Sequence, residues 1–178
     1  MPILMIRHTR PRIAPGTCYG QTDLDVDDTF EDEARTVLAN CPPAARIVSS
    51  PLQRCLKLAA YVGEALSLNV ETDSRLQEMD FHRWEGVRWS DISRTELDEW
   101  AANFFHARPH GGESVAQLKM RVDAAIDHLE QNQGTTIVIT HAGVIRAALA
   151  NGEAASDFQT KTDFGGIVRL PTTQEGLK

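Results

Sequence analysis

The sequence predicts an α/β fold, a three-layer sandwich with a mostly parallel central sheet and helices on both faces. Two observations carry that reading. Three short apolar runs each stop abruptly at polar residues, and helical repeats lie between and after them. Brief β-branched and aliphatic runs of this kind are strands buried on both faces. Strands alternating with helices build parallel sheets.

The runs are Ile3-Leu4-Met5-Ile6 before Arg7-His8, Arg46-Ile47-Val48 before Ser49-Ser50, and Thr136-Ile137-Val138-Ile139 before Thr140-His141. Leu52, Cys55, Leu56, Ala59, Val62 and Leu66 recur at steps of three and four, one face of a helix. Ser50 is the expected N-cap there, with Pro51 at the first helical position and Gln53 completing a capping box. Val115, Leu118, Val122, Ala125, Ile126 and Leu129 repeat the pattern behind a second box, Ser114 to Gln117. Gly134 closes that helix and feeds the third strand. A helix after His141 carries Val144, Ile145, Ala148 and Leu149. Shorter helices are expected over about residues 30–39 and 91–104, and Gly165–Leu170 reads as a final strand.

The 178 residues suit one domain spanning 1–178, and 42% hydrophobic residues are enough for a core. The longest stretch free of Asp, Glu, Lys and Arg is Gln131–Ile145; it is 15 residues long and contains His141, too short and polar to span a bilayer. No basic leader or long apolar segment follows Met1, so no secretory signal is expected. Cys18, Cys41 and Cys55 are odd in number and lack C-x-x-C spacing, which points to reduced thiols and a cytoplasmic location. A net charge of −7 argues against nucleic acid as partner, and membrane association is likewise not expected. Oligomeric state is not legible, since no exposed heptad can be read.

The basic residues are 14 Arg to 4 Lys, with Arg7, Arg10 and Arg12 clustered around His8. Arginine's planar fork grips phosphate with two hydrogen bonds, so an anion site inside an anionic chain is expected. In open α/β sheets ligands bind beyond the carboxyl ends of the strands. Arg7 and His8, then Ser49-Ser50 leading to Arg54, then His141 should therefore meet there. Each histidine taken singly reads as an ordinary solvated residue, and Arg54 as an exposed helix residue. Three strand ends carrying anion-binding groups together suggest instead a phosphoryl site: arginines to hold it, one neutral imidazole to attack, another to donate a hydrogen bond.

At this point the residues resemble a known family. Leu4-Met5-Ile6-Arg7-His8-Thr9 resembles the opening Arg-His-Gly motif of the histidine phosphatase superfamily, the phosphoglycerate mutase-like proteins. Further blocks match in order. Tyr19-Gly20-Gln21-Thr22-Asp23-Leu24 is similar to the early substrate-side loop, and Ser49-Ser50-Pro51-Leu52-Gln53-Arg54 to the second-arginine motif. Leu76-Gln77-Glu78-Met79-Asp80-Phe81 with Trp84-Glu85-Gly86 resembles the acidic block, and Gly111-Gly112-Glu113-Ser114 the segment opening a helix. Thr140-His141-Ala142-Gly143-Val144-Ile145-Arg146 resembles the second-histidine motif. The likeness runs from about residue 3 to 170.

The resemblance implies roles. His8 would be the nucleophile, Arg7 and Arg54 would clamp the phosphoryl oxygens, and His141 would support the forming bond. Glu78 would protonate the leaving oxygen and then take a proton from water. Asp80, two residues on, is the competing carboxylate and otherwise reads as a loop cap. Thr9, Tyr19, Gln21 and Ala142 join Arg7 and Arg54 as substrate-binding candidates, with loop anchoring an equal reading for Tyr19 and Gln21. Three positions depart from the family pattern: Thr9, His82 and Ala142 each stand where glycine is usual.

His82, His106 and His110 read as solvated loop histidines, with leaving-group recognition as their other role. Trp84, Trp89, Trp100, Phe104 and Phe105 read as packing for a helical subdomain rather than a site for an aromatic substrate. No His-x-His or His-Glu-x-x-His spacing occurs, so neither a metal nor another cofactor is expected.

The expected function is metal-independent hydrolysis of a small phosphorylated metabolite through a phosphohistidine. The Arg7-His8-Thr9 opening and the Cys18-Tyr19-Gly20 loop look most like the short bacterial α-ribazole phosphatase type. Phosphoglycerate mutase-type transfer is the same-class alternative, although the short stretch from Glu78 to His141 leaves little chain for a water-excluding pocket. A non-catalytic phospholigand-binding module and a metal-dependent hydrolase are the readings from other classes.

Overall fold

A computed structural model describes residues 2–171. Five strands form one sheet in the order β3-β2-β4-β1-β5. They are β1 (Ile3–Arg7), β2 (Arg46–Ser49), β3 (Val70–Thr72), β4 (Thr136–Thr140) and β5 (Ile167–Arg169). The first four run parallel, and β5 alone is antiparallel, against β1. The five α-helices are α1 (Phe30–Asn40), α2 (Gln53–Leu66), α3 (Arg94–Ala102), α4 (Val115–Glu130) and α5 (Ala142–Leu149).

Strand side chains alternate between the two faces and so build two cores. Met5, Val48 and Val138 pack with α4 and α5 residues such as Leu118, Val122 and Ile145. Ile6, Ile47, Ile137 and Ile139 pack with α1 and α2 residues such as Val37, Leu58 and Val62. β4 lies in the middle and is buried at all five positions, which explains its unbroken Thr-Ile-Val-Ile-Thr run.

The two expected capping boxes differ in outcome. Ser114 and Gln117 form theirs reciprocally at the start of α4. Ser50 does not cap α2, which begins at Gln53 with Leu52 as its N-cap. The hydroxyl of Ser50 instead lies 2.8 Å from His141 Nε2, and Asp23 accepts from the Gln53 N–H at 2.7 Å. A distant carboxylate thus takes the helix terminus and leaves Ser50 to the site. The sequence reading of 91–104 contracts to α3, with a 3₁₀ turn at Trp89–Asp91 before it. The short edge strand β3, with one apolar residue among three, has no pattern to reveal it.

The parallel register sets up the chemistry. Beyond the last ladder pairs, the His8 N–H donates to Thr140 O at 2.9 Å and the Ser50 N–H to Ile139 O at 2.9 Å. The residues that end β1, β2 and β4 are therefore held side by side at one edge of the sheet.

Candidate active site

His8, Ser50, Arg54 and His141 are all buried, and the His8 and His141 rings lie 5.1 Å apart between centroids. His8 Nδ1 sits 2.6 Å from the carbonyl oxygen of Thr9. A carbonyl can only accept, so Nδ1 carries the proton and Nε2 keeps its lone pair. Burial first, and the Arg54 and Arg7 charges with it, push the His8 pKa well below 6.5, against the opposing pull of the Thr9 bond. Burial, Arg54 and His8 push His141 the same way. Both rings are neutral near pH 7.

Arg54 projects from the first turn of α2, and its guanidinium donates to Gly20 O at 2.6 Å and Thr22 O at 2.8 Å. Arg7 donates to Thr162 O at 2.7 Å and lies 3.9 Å over the Phe164 ring. Among the described residues, no carboxylate forms an ion pair with either guanidinium. A wholly buried, unpaired Arg54 charge is expensive unless an anion occupies the site. Aromatic rings steady both arms around His8: Phe164 under Arg7 is 5.7 Å from the His8 ring, and Tyr19 beside Arg54 is 6.5 Å from it.

Glu78 reaches the same edge of the sheet. Its carboxylate accepts from the Gly143 N–H at 3.1 Å, in the first turn of α5, and from the Met79 N–H at 3.0 Å. A Cβ on Gly143 would overlap the end of that carboxylate, so a side chain there would push Glu78 off this N–H. The backbone carrying Glu78 is gripped from α4. Arg121 pairs through two nitrogens with Glu113, and donates to the carbonyls of Arg75, Gln77 and Glu78 at 2.6, 2.6 and 3.0 Å. Sequence reasoning misses Arg121. Its spacing places it only on a helix face, and its carbonyl partners lie more than 40 residues away.

Asp80 takes the capping role, accepting from the His82 N–H at 2.8 Å. That bond closes the turn in which His82, standing where glycine is usual, adopts φ 42°. Glu85 accepts from the Gln21 and Thr22 N–H groups, at 2.9 and 2.7 Å, and from the Thr22 hydroxyl, and so shapes the loop whose carbonyls hold Arg54.

Of the substrate-side candidates, Arg7, Tyr19 and Ala142 line a cavity of about 630 Å³, together with Glu78. Thr9 is buried and contributes its carbonyl, and its hydroxyl has no partner among the described residues. The Gln21 side chain donates to Glu78 O at 3.0 Å. The reading of His110 as a solvated histidine is corrected. It is fully buried, 4.9 Å from the Trp84 ring, and its Nδ1 accepts from the Gly112 N–H. The Gly111 turn, φ 85°, folds it inward among the aromatic rings. His82 and His106 are exposed.

Two neutral imidazoles, two arginines without counter-ions and a docked carboxylate at the head of a parallel sheet define a phosphatase of the α/β class. The chain belongs to the histidine phosphatase superfamily (branch 1), which it matches over residues 3–174. It is 29% identical over 163 residues to a glucosyl-3-phosphoglycerate phosphatase of Mycolicibacterium vanbaalenii, covering 83% of this chain and 72% of that one. It is 28% identical over 159 residues to a probable phosphoglycerate mutase of Salmonella paratyphi C, covering 85% and 74%. A solved structure from Thermus thermophilus, the protein TTHB049, superposes with a TM-score of 0.74 at 28% identity, covering 95% and 92%.

Proposed function

We propose that this chain is a metal-independent phosphomonoesterase that hydrolyses a small phosphorylated metabolite through a phosphohistidine on His8. One observation carries the reading: the bond from His8 Nδ1 to Thr9 O leaves Nε2 unprotonated, beside His141 and two arginines that lack counter-ions. An imidazole kept neutral by burial and adjacent cations is a competent nucleophile at neutral pH.

The reaction follows from these positions. Arg7 and Arg54 hold the phosphoryl oxygens, and His8 Nε2 attacks phosphorus. The N–P bond forms as the ester P–O bond breaks, and His141 stabilises charge on an equatorial oxygen. Glu78 delivers a proton to the departing alcohol oxygen. Water then attacks the phosphohistidine, Glu78 accepts its proton, and the N–P bond breaks to give inorganic phosphate and free His8. Arg7, Tyr19 and Ala142 border the leaving alcohol; Thr9 sets the ring of His8, and Gln21 braces the Glu78 backbone. The likeness of the Arg7-His8-Thr9 opening and the Cys18-Tyr19-Gly20 loop to the α-ribazole phosphatase type makes α-ribazole phosphate the particular substrate proposed.

Rapid quench of the enzyme with ³²P-labelled phosphomonoesters, with EDTA present, tests the reading. An acid-labile, base-stable phosphoprotein that is absent from His8→Ala supports it. Turnover abolished by EDTA, or normal turnover by His8→Ala, would overturn it.

A further inference from the structure

The cavity beside Arg7 and Glu78 is two-sided in chemistry. Away from the phosphoryl end its wall is a continuous apolar surface built by Phe81, Trp89, Trp100, Phe104, Leu118 and Phe158. The rings touch in series: Phe81 is 5.6 Å from Trp89 and 6.1 Å from Trp100, Trp100 is 5.6 Å from Phe104, and Phe104 is 5.5 Å from Phe158. Trp89 is 36% exposed, an uncommon state for so large an apolar side chain. Read from sequence, Trp89, Trp100 and Phe104 serve packing rather than an aromatic substrate, yet they both pack and face the cavity.

The cations on this cavity are partly engaged, with Arg7 Nε lacking a partner among the described residues. Arg7 donates to Thr162 O, Arg146 to Thr160 O at 3.0 Å, and Arg10 lies 5.3 Å over the Phe164 ring while its backbone N–H and its side chain both meet Glu33. A polyol or amino-acid leaving group laid on this wall would lose its water against rings that return few hydrogen bonds. A flat apolar group would instead gain from leaving water, and 630 Å³ lies within the range of pockets that enclose whole small molecules.

We infer that this wall is a leaving-group subsite selecting phosphomonoesters whose alcohol carries a flat, largely apolar ring system, over sugar, glycerate or amino-acid phosphates. The inference rests on the phosphomonoesterase reading, and deepens it.

The test compares two alkyl esters whose alcohols leave comparably: 2-(2-naphthyl)ethyl phosphate and glycerol 3-phosphate. The naphthyl ester is expected to have at least about tenfold higher kcat/KM, the scale of burying two or three methylene equivalents of apolar surface. The matching phosphonates, which cannot be hydrolysed, should show the same order of Kd on His8→Ala protein. Trp89→Ser and Phe104→Ala should each reduce naphthyl-ester binding several-fold more than glycerol-phosphate binding. Equal kcat/KM for the two esters, a preference for glycerol 3-phosphate, or equal losses in both variants would overturn the subsite and leave the phosphatase reading intact. If neither ester nor acetyl phosphate is hydrolysed or forms a phosphoenzyme, the phosphatase reading fails and takes the subsite with it. The phosphonate Kd values show separately whether the wall binds apolar groups.

Discussion

The carboxylate of Glu78 accepts the backbone N–H of Gly143 at 3.1 Å, which docks it on the first turn of α5, two residues from His141. Helix, histidine and carboxylate are therefore one unit, and a side chain at position 143 would collide with Glu78. Gly143→Ala is expected to lower kcat by roughly 10- to 100-fold, with a smaller change in KM, because in the proposed mechanism the displaced group is the acid rather than a binding contact. Steady-state kinetics with thermal unfolding checks this. A fall in Tm with kcat preserved would separate Gly143 from the acid.

Glu78→Gln should slow alkyl phosphates by about 10²- to 10⁴-fold, the usual worth of a general acid, and aryl phosphates with good leaving groups far less. Equal slowing of both would point to a different acid. Asp80 is a poor substitute, since it is committed to the His82 turn.

In the proposed mechanism Arg121 positions Glu78 through the backbone carbonyls it holds. Arg121→Met should reduce kcat for alkyl phosphates more than for aryl phosphates, repeating the leaving-group signature of Glu78→Gln in milder form. Arg121→Lys should recover little, because one ammonium cannot bridge Glu113 and three carbonyls. Uniform slowing of every ester would mark a merely structural role.

Burial and the neighbouring cations lower the pKa of His8 and His141 in the folded state. Below pH 6.5 the unfolded chain takes up protons that the folded chain refuses, so stability falls as pH drops from that point. Each histidine should add about 1.4 kcal/mol per pH unit to that slope. Urea unfolding in phosphate-free buffer from about pH 7.5 to about pH 5.5 should show it, and His8→Asn should make it shallower by one histidine's share. An unchanged slope in His8→Asn would mean that His8 is protonated in the folded protein.

Much of this is legible in the sequence, for identifiable reasons. Strands buried on both faces leave unbroken apolar runs, so β1, β2 and β4 stand out, and the residues closing them mark where His8, Ser50 and His141 meet. The Ser114–Gln117 box is local and readable, whereas the cap of α2 comes from Asp23, 30 residues away, and is not. Arg121 escapes notice, and Glu85 shows in a motif but without a role, because their work lies in long-range bonds to backbone, which no spacing encodes. The cavity wall is hidden for a related reason: an aromatic cluster reads as packing until a concavity is seen beside it.

The most direct measurement locates the trapped phosphoryl group. Acid-free quench of wild-type enzyme during turnover, followed by ³¹P–¹H correlation NMR and peptide mapping, should find phosphorus bonded to Nε2 of His8, the nitrogen left bare by the bond from Nδ1 to Thr9. Phosphorus on Nδ1 of His8, on His141, or on no residue under conditions of active turnover would contradict the account.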